Sequence, residues 1–281
     1  MQINVGCKLR YDMPAPTGFV FQIEAAKADS QIVRNEQLSI PAGAGGVTYR
    51  SYVDPVTFTR KVQTVLGPGP VEINYSATVD VDATGFDPAA VVEWDFVNLP
   101  MDALEYIAPS RYCPSDTFTE FAHVQFGGLA RGHTRVTAIC DWIHGNIRYQ
   151  AGSTNAASSA ADVFRSKQGV CRDFSHLGIS LTRALGIPAR YASVYADALN
   201  PQDFHAVFQA YLFGPKGGEW FAFDATRMSS VDALVRIAAG RDAADVAFAW
   251  PQGEVTFEAP QVFVEAVGRS HSMRTPLAVG N

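Results

Sequence analysis

Residues 1 to about 100 carry the two-residue period of β-strands. From Val71 to Val81 (VEINYSATVDV) apolar and polar side chains alternate, the pattern of a strand with one buried face. Phe19 to Ile23, Gln37 to Ile40 and Thr57 to Val65 read as further strands. The runs Pro41-Ala42-Gly43-Ala44-Gly45-Gly46 and Gly67-Pro68-Gly69-Pro70 punctuate them as turns. Short strands between such signals predict a β-sandwich. No residue in this stretch suggests chemistry.

Near residue 115 the period becomes helical. Ser115 is placed to cap a helix through Phe121, which Gly127-Gly128 interrupts. Thr134 is placed to cap the next, with Val136, Ile139, Cys140, Ile143 and Ile147 on one face. Ala151 to Ala161 is small and polar and reads as a flexible loop, and Ala160 to Ser166 as a short helix. The run from Cys171 puts Phe174, Leu177, Gly178, Leu181 and Leu185 on one face; Gly186 stands at the C-cap position and Pro188 blocks continuation. Pro188 to Ala196, His205 to Phe213 and Trp220 to Phe223 read as strands, the last two joined as a hairpin by Gly214-Pro215-Lys216-Gly217-Gly218. Val255 to Val267 adds more strand character. The expected organisation is α+β: a β-rich domain over residues 1–100, then a core over 101–281 that includes the C-terminal strands.

Composition narrows the function classes. The chain of 281 residues is 47% hydrophobic and 18% charged, enough for two domains. A net charge of −6 argues against nucleic acid as a partner. No run approaches the ~18 apolar residues of a membrane span, and the N-terminus lacks a signal-peptide pattern. Cys7, Cys113, Cys140 and Cys171 are scattered, without metal-ligand spacing or a disulfide framework. His123, His133, His144 and His271 show no ligand spacing either, so neither metal nor cofactor is expected. The expected setting is cytoplasmic and reducing, away from membranes.

Three segments carry candidate chemistry: Gly169-Val170-Cys171-Arg172-Asp173-Phe174, Asp203-Phe204-His205-Ala206 and Phe221-Ala222-Phe223-Asp224. Cys171 opens a helix, where the N-terminus favours a thiolate. His205 opens a strand and Asp224 closes the next, so the hairpin brings them to nearly opposite positions at one end. A thiol with an imidazole base and a carboxylate that orients the base is the arrangement of nucleophilic catalysis. His176, five residues after Cys171, is rotated about 140° from the thiol and reads as a packing or hydrogen-bonding residue. Arg172 and Asp173 read equally as tuning the helix start or as a salt-bridged pair. Asp203 reads as a cleft-lining or simply exposed carboxylate. Tyr149 and Gln150 are candidates for an oxyanion donor beside the Cys171 N–H, with helix-end packing the plainer reading of Tyr149.

At these motifs the chain resembles the transglutaminase-like superfamily of thiol enzymes, in its bacterial branch. The likeness rests on Gly169 to Leu177, on Arg183-Ala184-Leu185-Gly186-Ile187-Pro188-Ala189-Arg190-Tyr191, and on the histidine and Phe223-Asp224 motifs in that order. It runs from about residue 105 to about 245. The N-terminal region looks like the β-rich domain preceding the core in bacterial members, and Gly240 to Val246 looks like a family stretch. The resemblance implies a papain-like core with Cys171 on a helix and His205 and Asp224 on adjoining strands. Val207, Gln209 and Ala225 stand where the family commonly has tryptophan, glutamate and proline. The expected activity is that of a thiol hydrolase, a peptidase or amidase cleaving an amide bond of a peptide or amide-containing substrate through a thioester. Acyl transfer and a catalytically silent protein-binding module are the alternatives.

Overall fold

The computed structural model describes residues 1–28, 30–42, 49–82 and 85–267. The N-terminal strands are β1 (Gln2–Met13), β2 (Thr17–Phe21), β3 (Gln31–Ser39), β4 (Arg50–Val53), β5 (Arg60–Leu66) and β6 (Gly69–Val81). They divide between two antiparallel sheets, β1-β6-β3 and β2-β5-β4. In β1, Ile3, Val5, Cys7, Leu9, Tyr11 and Met13 are buried. The Tyr11 ring meets Phe19 of the facing sheet at 5.0 Å, so the two layers share a core. The expected strands are thus found, β5 beginning at Arg60 rather than Thr57. Gly67-Pro68 connects two strands of different sheets. The expected turn at Gly43–Gly46 lies outside the described residues, as does His271.

The helical part comprises α1 (Met101–Leu104), α2 (Thr119–Phe126), α3 (His133–Asn146), α4 (Ala160–Ser166) and α5 (Cys171–Ala184). Two of the expected caps are corrected. Ser115 lies buried inside a 3-10 turn, Ser115–Phe118, that runs into α2, and α3 starts one residue before Thr134, behind Gly132. Glycine serves there because its φ of +118° is closed to other residues and its Cα lies against the Val91 carbonyl. Ser159 begins α4 through a reciprocal box with Asp162. Two-residue strands β7 (Arg148–Tyr149) and β8 (Gln168–Gly169) pair in parallel and bring Tyr149 level with Gly169.

Helix α5 packs on a sheet of β9 (Ala189–Ala196), β10 (Phe204–Gly214), β11 (Gly217–Phe223) and β12 (Leu234–Gly240), ordered β11-β10-β9-β12. Gly178 allows the close approach: a Cβ there would stand 2.5 Å from the Phe208 ring of β10. At the other end of α5 the buried Arg183 donates to the carbonyls of Ala189, Ala108 and Arg241, tying helix, strand and two loops together. Burial lowers the pKa of its guanidinium.

The C-terminal strands depart from expectation. β13 (Ala249–Pro251) pairs with β2, and both β14 (Thr256–Phe257) and β15 (Gln261–Ala266) pair with β1. They therefore lie in the N-terminal sheets, not in the sheet of the core. The buried segment 21–26 joins the core sheet at two points: the Ala26 N–H donates to the Arg236 carbonyl of β12 at 2.8 Å, and Tyr195 Oη of β9 donates to the Ile23 carbonyl at 2.6 Å. This covers a sheet edge that would otherwise be open. Among the described residues no helix is long and apolar enough to cross a membrane.

Candidate active site

Cys171 is the first residue of α5 and is half-buried. Asp173, at the third position of the helix, accepts the Val170 N–H at 2.9 Å through Oδ2 and so closes the helix start. The same oxygen accepts from the Thr154 hydroxyl at 2.5 Å, and Oδ1 accepts from Arg172 Nη2 at 2.9 Å. Arg172 Nη2 also donates to the Asn155 carbonyl. The Arg172–Asp173 pair thus fastens the 151–159 loop to the start of α5, and Asp173 has no exposed surface. Gly169 is required by this cap, since a Cβ would stand 2.8 Å from the Asp173 Cβ.

His205 lies on β10, 3% exposed, with Nε2 against Asp224 Oδ2 at 2.9 Å. Asp224 follows the last residue of β11. The ladder pairs Phe208 with Phe223, so Asp224 falls beyond its end, level with Val207, and His205 reaches it diagonally from two positions along rather than from directly opposite. Asp224 is also held by the Thr226 N–H and hydroxyl on Oδ1, at 2.9 and 2.6 Å, and by the Ser229 N–H on Oδ2 at 3.2 Å. Burial opposes its ionisation, but the hydrogen bonds and charge of His205 together with Thr226 prevail and hold its pKa below the usual value. Burial likewise opposes the imidazolium of His205, yet Asp224 and then Cys171 outweigh it and lift the imidazole to about 9.

Cys171 and His205 border one cavity of about 310 Å³. Its other walls include Tyr191, the stacked rings of Phe204 and Phe248 with centroids 5.2 Å apart, and the loop from Ala243 to Phe248. Tyr149 faces Cys171 closely enough for both its N–H and its thiol to act on the phenol. Burial, the largest influence, pushes that phenol up to about 12. Gln150 is exposed and its amide bonds the Ala151 carbonyl, so this side chain is not brought into the site. Asp203 is exposed as a residue; partial burial of its carboxyl raises its pKa, and the charge of His205 opposes that rise.

His176 is fully buried on the other side of α5. Its Nε2 accepts the Ala243 N–H at 3.1 Å and its ring stacks on Tyr112 at 5.1 Å, as its helical position predicts. Burial pushes its pKa down to about 3. It holds the cavity-lining loop to the helix, aided by Asp242, which accepts the Tyr112 and Ala244 N–H groups. Two contributors had no role assigned from the residue pattern: the 243–248 wall, which overlaps the Gly240 to Val246 family stretch, and Gln22 just after β2, which also lines the cavity. Among the described residues no cluster of histidine, cysteine and carboxylate side chains is arranged to hold a metal ion.

This helix, sheet and cavity are a transglutaminase-like core joined to a β-rich N-terminal domain, and the chain belongs to the transglutaminase-like superfamily. The superfamily pattern matches residues 120–225, and that of the bacterial transglutaminase N-terminal domain matches residues 1–97. The crystal structure of a candidate cysteine protease from Cytophaga hutchinsonii is similar over 97% of this chain and 92% of that one, at 36% identity and a TM-score of 0.86. The uncharacterized protein ML0607 of Mycobacterium leprae is 29% identical over 148 residues, 51% of this chain and 53% of that protein. Rv2569c of Mycobacterium tuberculosis, also uncharacterized, is 31% identical over 115 residues, 37% of each. The chain thus spans about half the length of ML0607 and less of Rv2569c.

Proposed function

We propose that this protein is a cysteine-dependent amide hydrolase, a peptidase or amidase, with Cys171 as nucleophile, His205 as base and Asp224 as its orienting carboxylate. The observation that carries the reading is the buried His205–Asp224 bond of 2.9 Å beside a cavity that Cys171 also lines. His205 takes the thiol proton, the sulfur attacks the carbonyl carbon, and the resulting imidazolium returns the proton to the departing amine. A thioester remains, and water activated by His205 releases the acid. Asp224 keeps one ring nitrogen engaged so that the other serves the thiol. The developing oxyanion is met by the Cys171 N–H, with the Tyr149 hydroxyl as the candidate second donor. The substrate is a peptide or another amide. The single burial of Cys7, Cys113 and Cys140 fits a reducing, cytoplasmic setting.

The test compares Cys171→Ala, His205→Ala and Asp224→Asn with the wild type on an amide-substrate library, with and without added primary amine, after checking each for retained folding. Cys171→Ala is expected to abolish turnover and thioester trapping. His205→Ala is expected to alkylate slowly at neutral pH, and Asp224→Asn to lose turnover by a factor of up to about 10⁴ while keeping some labelling. A folded Asp224→Asn that matches the wild type in both assays refutes the carboxylate's role. An amide product formed at the expense of acid when amine is added would make the enzyme an acyl transferase with the same three residues.

A further inference from the structure

Beyond its bond to His205, Asp224 is built into a closed turn after β11. It opens an Asx turn: its Oδ1 accepts the Thr226 N–H at 2.9 Å, two residues on, and the Thr226 hydroxyl at 2.6 Å. The chain then passes through Arg227 with a left-handed φ of +57°, and the Ser229 N–H returns to Oδ2 at 3.2 Å beside His205 Nε2 at 2.9 Å. The turn is tethered on two sides, by Arg227 paired with Asp141 of α3 and by the Ser229 hydroxyl on the Asp197 carbonyl. Thr226 is 6% exposed, and its hydroxyl accepts the Met228 N–H at 3.2 Å, which leaves its own proton for Oδ1. Both Asp224 oxygens are thus filled by donors, two apiece, the full capacity of an ionised carboxylate.

We propose that Thr226 is a positioning residue: its hydroxyl locks the rotation of the Asp224 carboxylate, keeps one oxygen for His205 Nε2, and so holds the imidazolium that accompanies the Cys171 thiolate. The inference rests on the thiol reaction proposed above and names a residue which that reaction needs but does not touch. The terminal torsion of an aspartate is broad, so a carboxylate held by His205 alone could turn and exchange its oxygens; the fixed donors of the turn remove that freedom. The direction of each bond matters as well. Because every neighbour donates, a proton on Asp224 would be set against one of them, so the carboxylate stays charged. Nε2 then keeps its proton and Nδ1 is left for the thiol. Of the donors supplied by the turn, the Thr226 hydroxyl makes the shortest bond and is the one that belongs to a side chain. The charged and titratable neighbours do not replace it. Arg227 and Asp141 pair with each other, Asp203 meets the charge of His205, and burial pushes the Cys140 thiol of α3 up, so that it stays neutral.

The test uses the full chain, its Thr226→Val and Thr226→Ser variants, and iodoacetamide, with labelling at Cys171 read by peptide mass spectrometry so that Cys7, Cys113 and Cys140 do not contribute. Rates are taken at about pH 6.5, where an ordinary thiol is only about 1% thiolate, and at about pH 10, where it is ionised throughout. Thr226→Val keeps the shape and loses a hydrogen bond to a charged group. It is expected to be labelled at least about ten-fold more slowly than the wild type at the lower pH, and at the wild-type rate at the higher, where no imidazolium is needed. Thr226→Ser returns the hydroxyl and is expected to recover most of the loss. Equal rates of wild type and Thr226→Val at the lower pH overturn the proposal, as does a deficit that persists at the higher pH, the mark of altered packing or access. A Thr226→Ser variant as slow as Thr226→Val overturns it too. Where Thr226→Val fails to fold, Thr226→Ala carries the same comparison. A wild-type Cys171 whose rate falls between the two pH values as steeply as that of an ordinary thiol, about 100-fold, overturns the Cys171–His205 pairing itself and is recognised without any variant.

Discussion

Replacing Gly178 with alanine tests whether helix packing sets the position of the Cys171 thiol. Gly178 lies seven residues after Cys171, so the two share a face of α5, about 20° apart in direction and about 10 Å apart along the axis. A Cβ at residue 178 meets the Phe208 ring carbons at 2.5 and 2.8 Å, whereas carbon contacts settle at about 3.5–4.0 Å. Relief therefore requires roughly 1 Å of movement. Phe208 cannot readily yield, since it is fully buried and stacks on Phe223 with centroids 5.5 Å apart. Overpacking costs about 1–3 kcal/mol, and exchanging glycine for alanine in a helix returns about 0.8–1.0 kcal/mol. The net loss is roughly 0–2 kcal/mol, a decrease of a few degrees in Tm for a chain of this size. Function suffers more, because a shift of about 1 Å between reacting groups is enough to cost about 10²-fold in rate. Thermal unfolding and the rate of Cys171 alkylation at neutral pH are the two measurements. A lowered Tm with wild-type labelling would show that the thiol–imidazole distance is set elsewhere. A raised Tm would show that the Phe208 ring gives way and the clash is absent.

The His205–Asp224 pair gives a pH window. His205 is raised from 6.5 to about 9, so its stabilisation is complete below about pH 6.5 and is lost as the pH rises through about 9. Asp224 is lowered from 3.8, so its share is complete above that value and is lost as the pH falls through its folded pKa. The Tm advantage of wild type over His205→Gln should therefore narrow steadily from pH 6.5 to pH 9; a constant difference would refute the assignment. At Arg190, burial and then the charge of Arg236 push the guanidinium down to about 9, and its Nε donates to the neutral Gln209 Oε1 at 2.8 Å. Gln209→Glu should raise Tm, by the equivalent of about 1–2 kcal/mol, because the arginine is already desolvated and gains a charged acceptor. A lower Tm in calorimetry would mean that the new carboxylate's desolvation prevails.

Local signals made much of this structure readable. The bounds of α5, its stop at Gly186, the β10–β11 hairpin and the proximity of His205 to Asp224 all follow from period and turn chemistry within about 20 residues. The two-position offset between His205 and Asp224 did not follow, because register is fixed by the Gly214–Gly217 pair, which the sequence alone leaves open. The alternation Ile3, Val5, Cys7, Leu9, Tyr11, Met13 is written in the sequence, yet its partners are not: Ile3 lies beside both Val79 and Ala266. Gln22 is an ordinary polar residue after a strand until Asp245 and Phe248 are folded against it. Arg172 and Asp173 admitted two readings, and only the contacts with Thr154 and Asn155 show the pair fastening a loop.

The pairing of β15 with β1 orders events during synthesis on the ribosome. β1 emerges before all its partners, and its full complement of neighbours waits for residues 261–266, almost the whole described chain later. Closing so long a loop carries an entropic penalty that grows only slowly with length, but contacts this distant in sequence form slowly. Until β14 and β15 are made, β1 has β6 alone as a partner, leaving an edge open to other nascent chains. The Phe248 wall of the cavity is anchored through β13 on β2, so it too is set late. A growing chain that has already made Cys171, His205 and Asp224 still lacks one side of its cleft, and the Cys171 thiol acquires its finished surroundings only after residues 243–251 have followed.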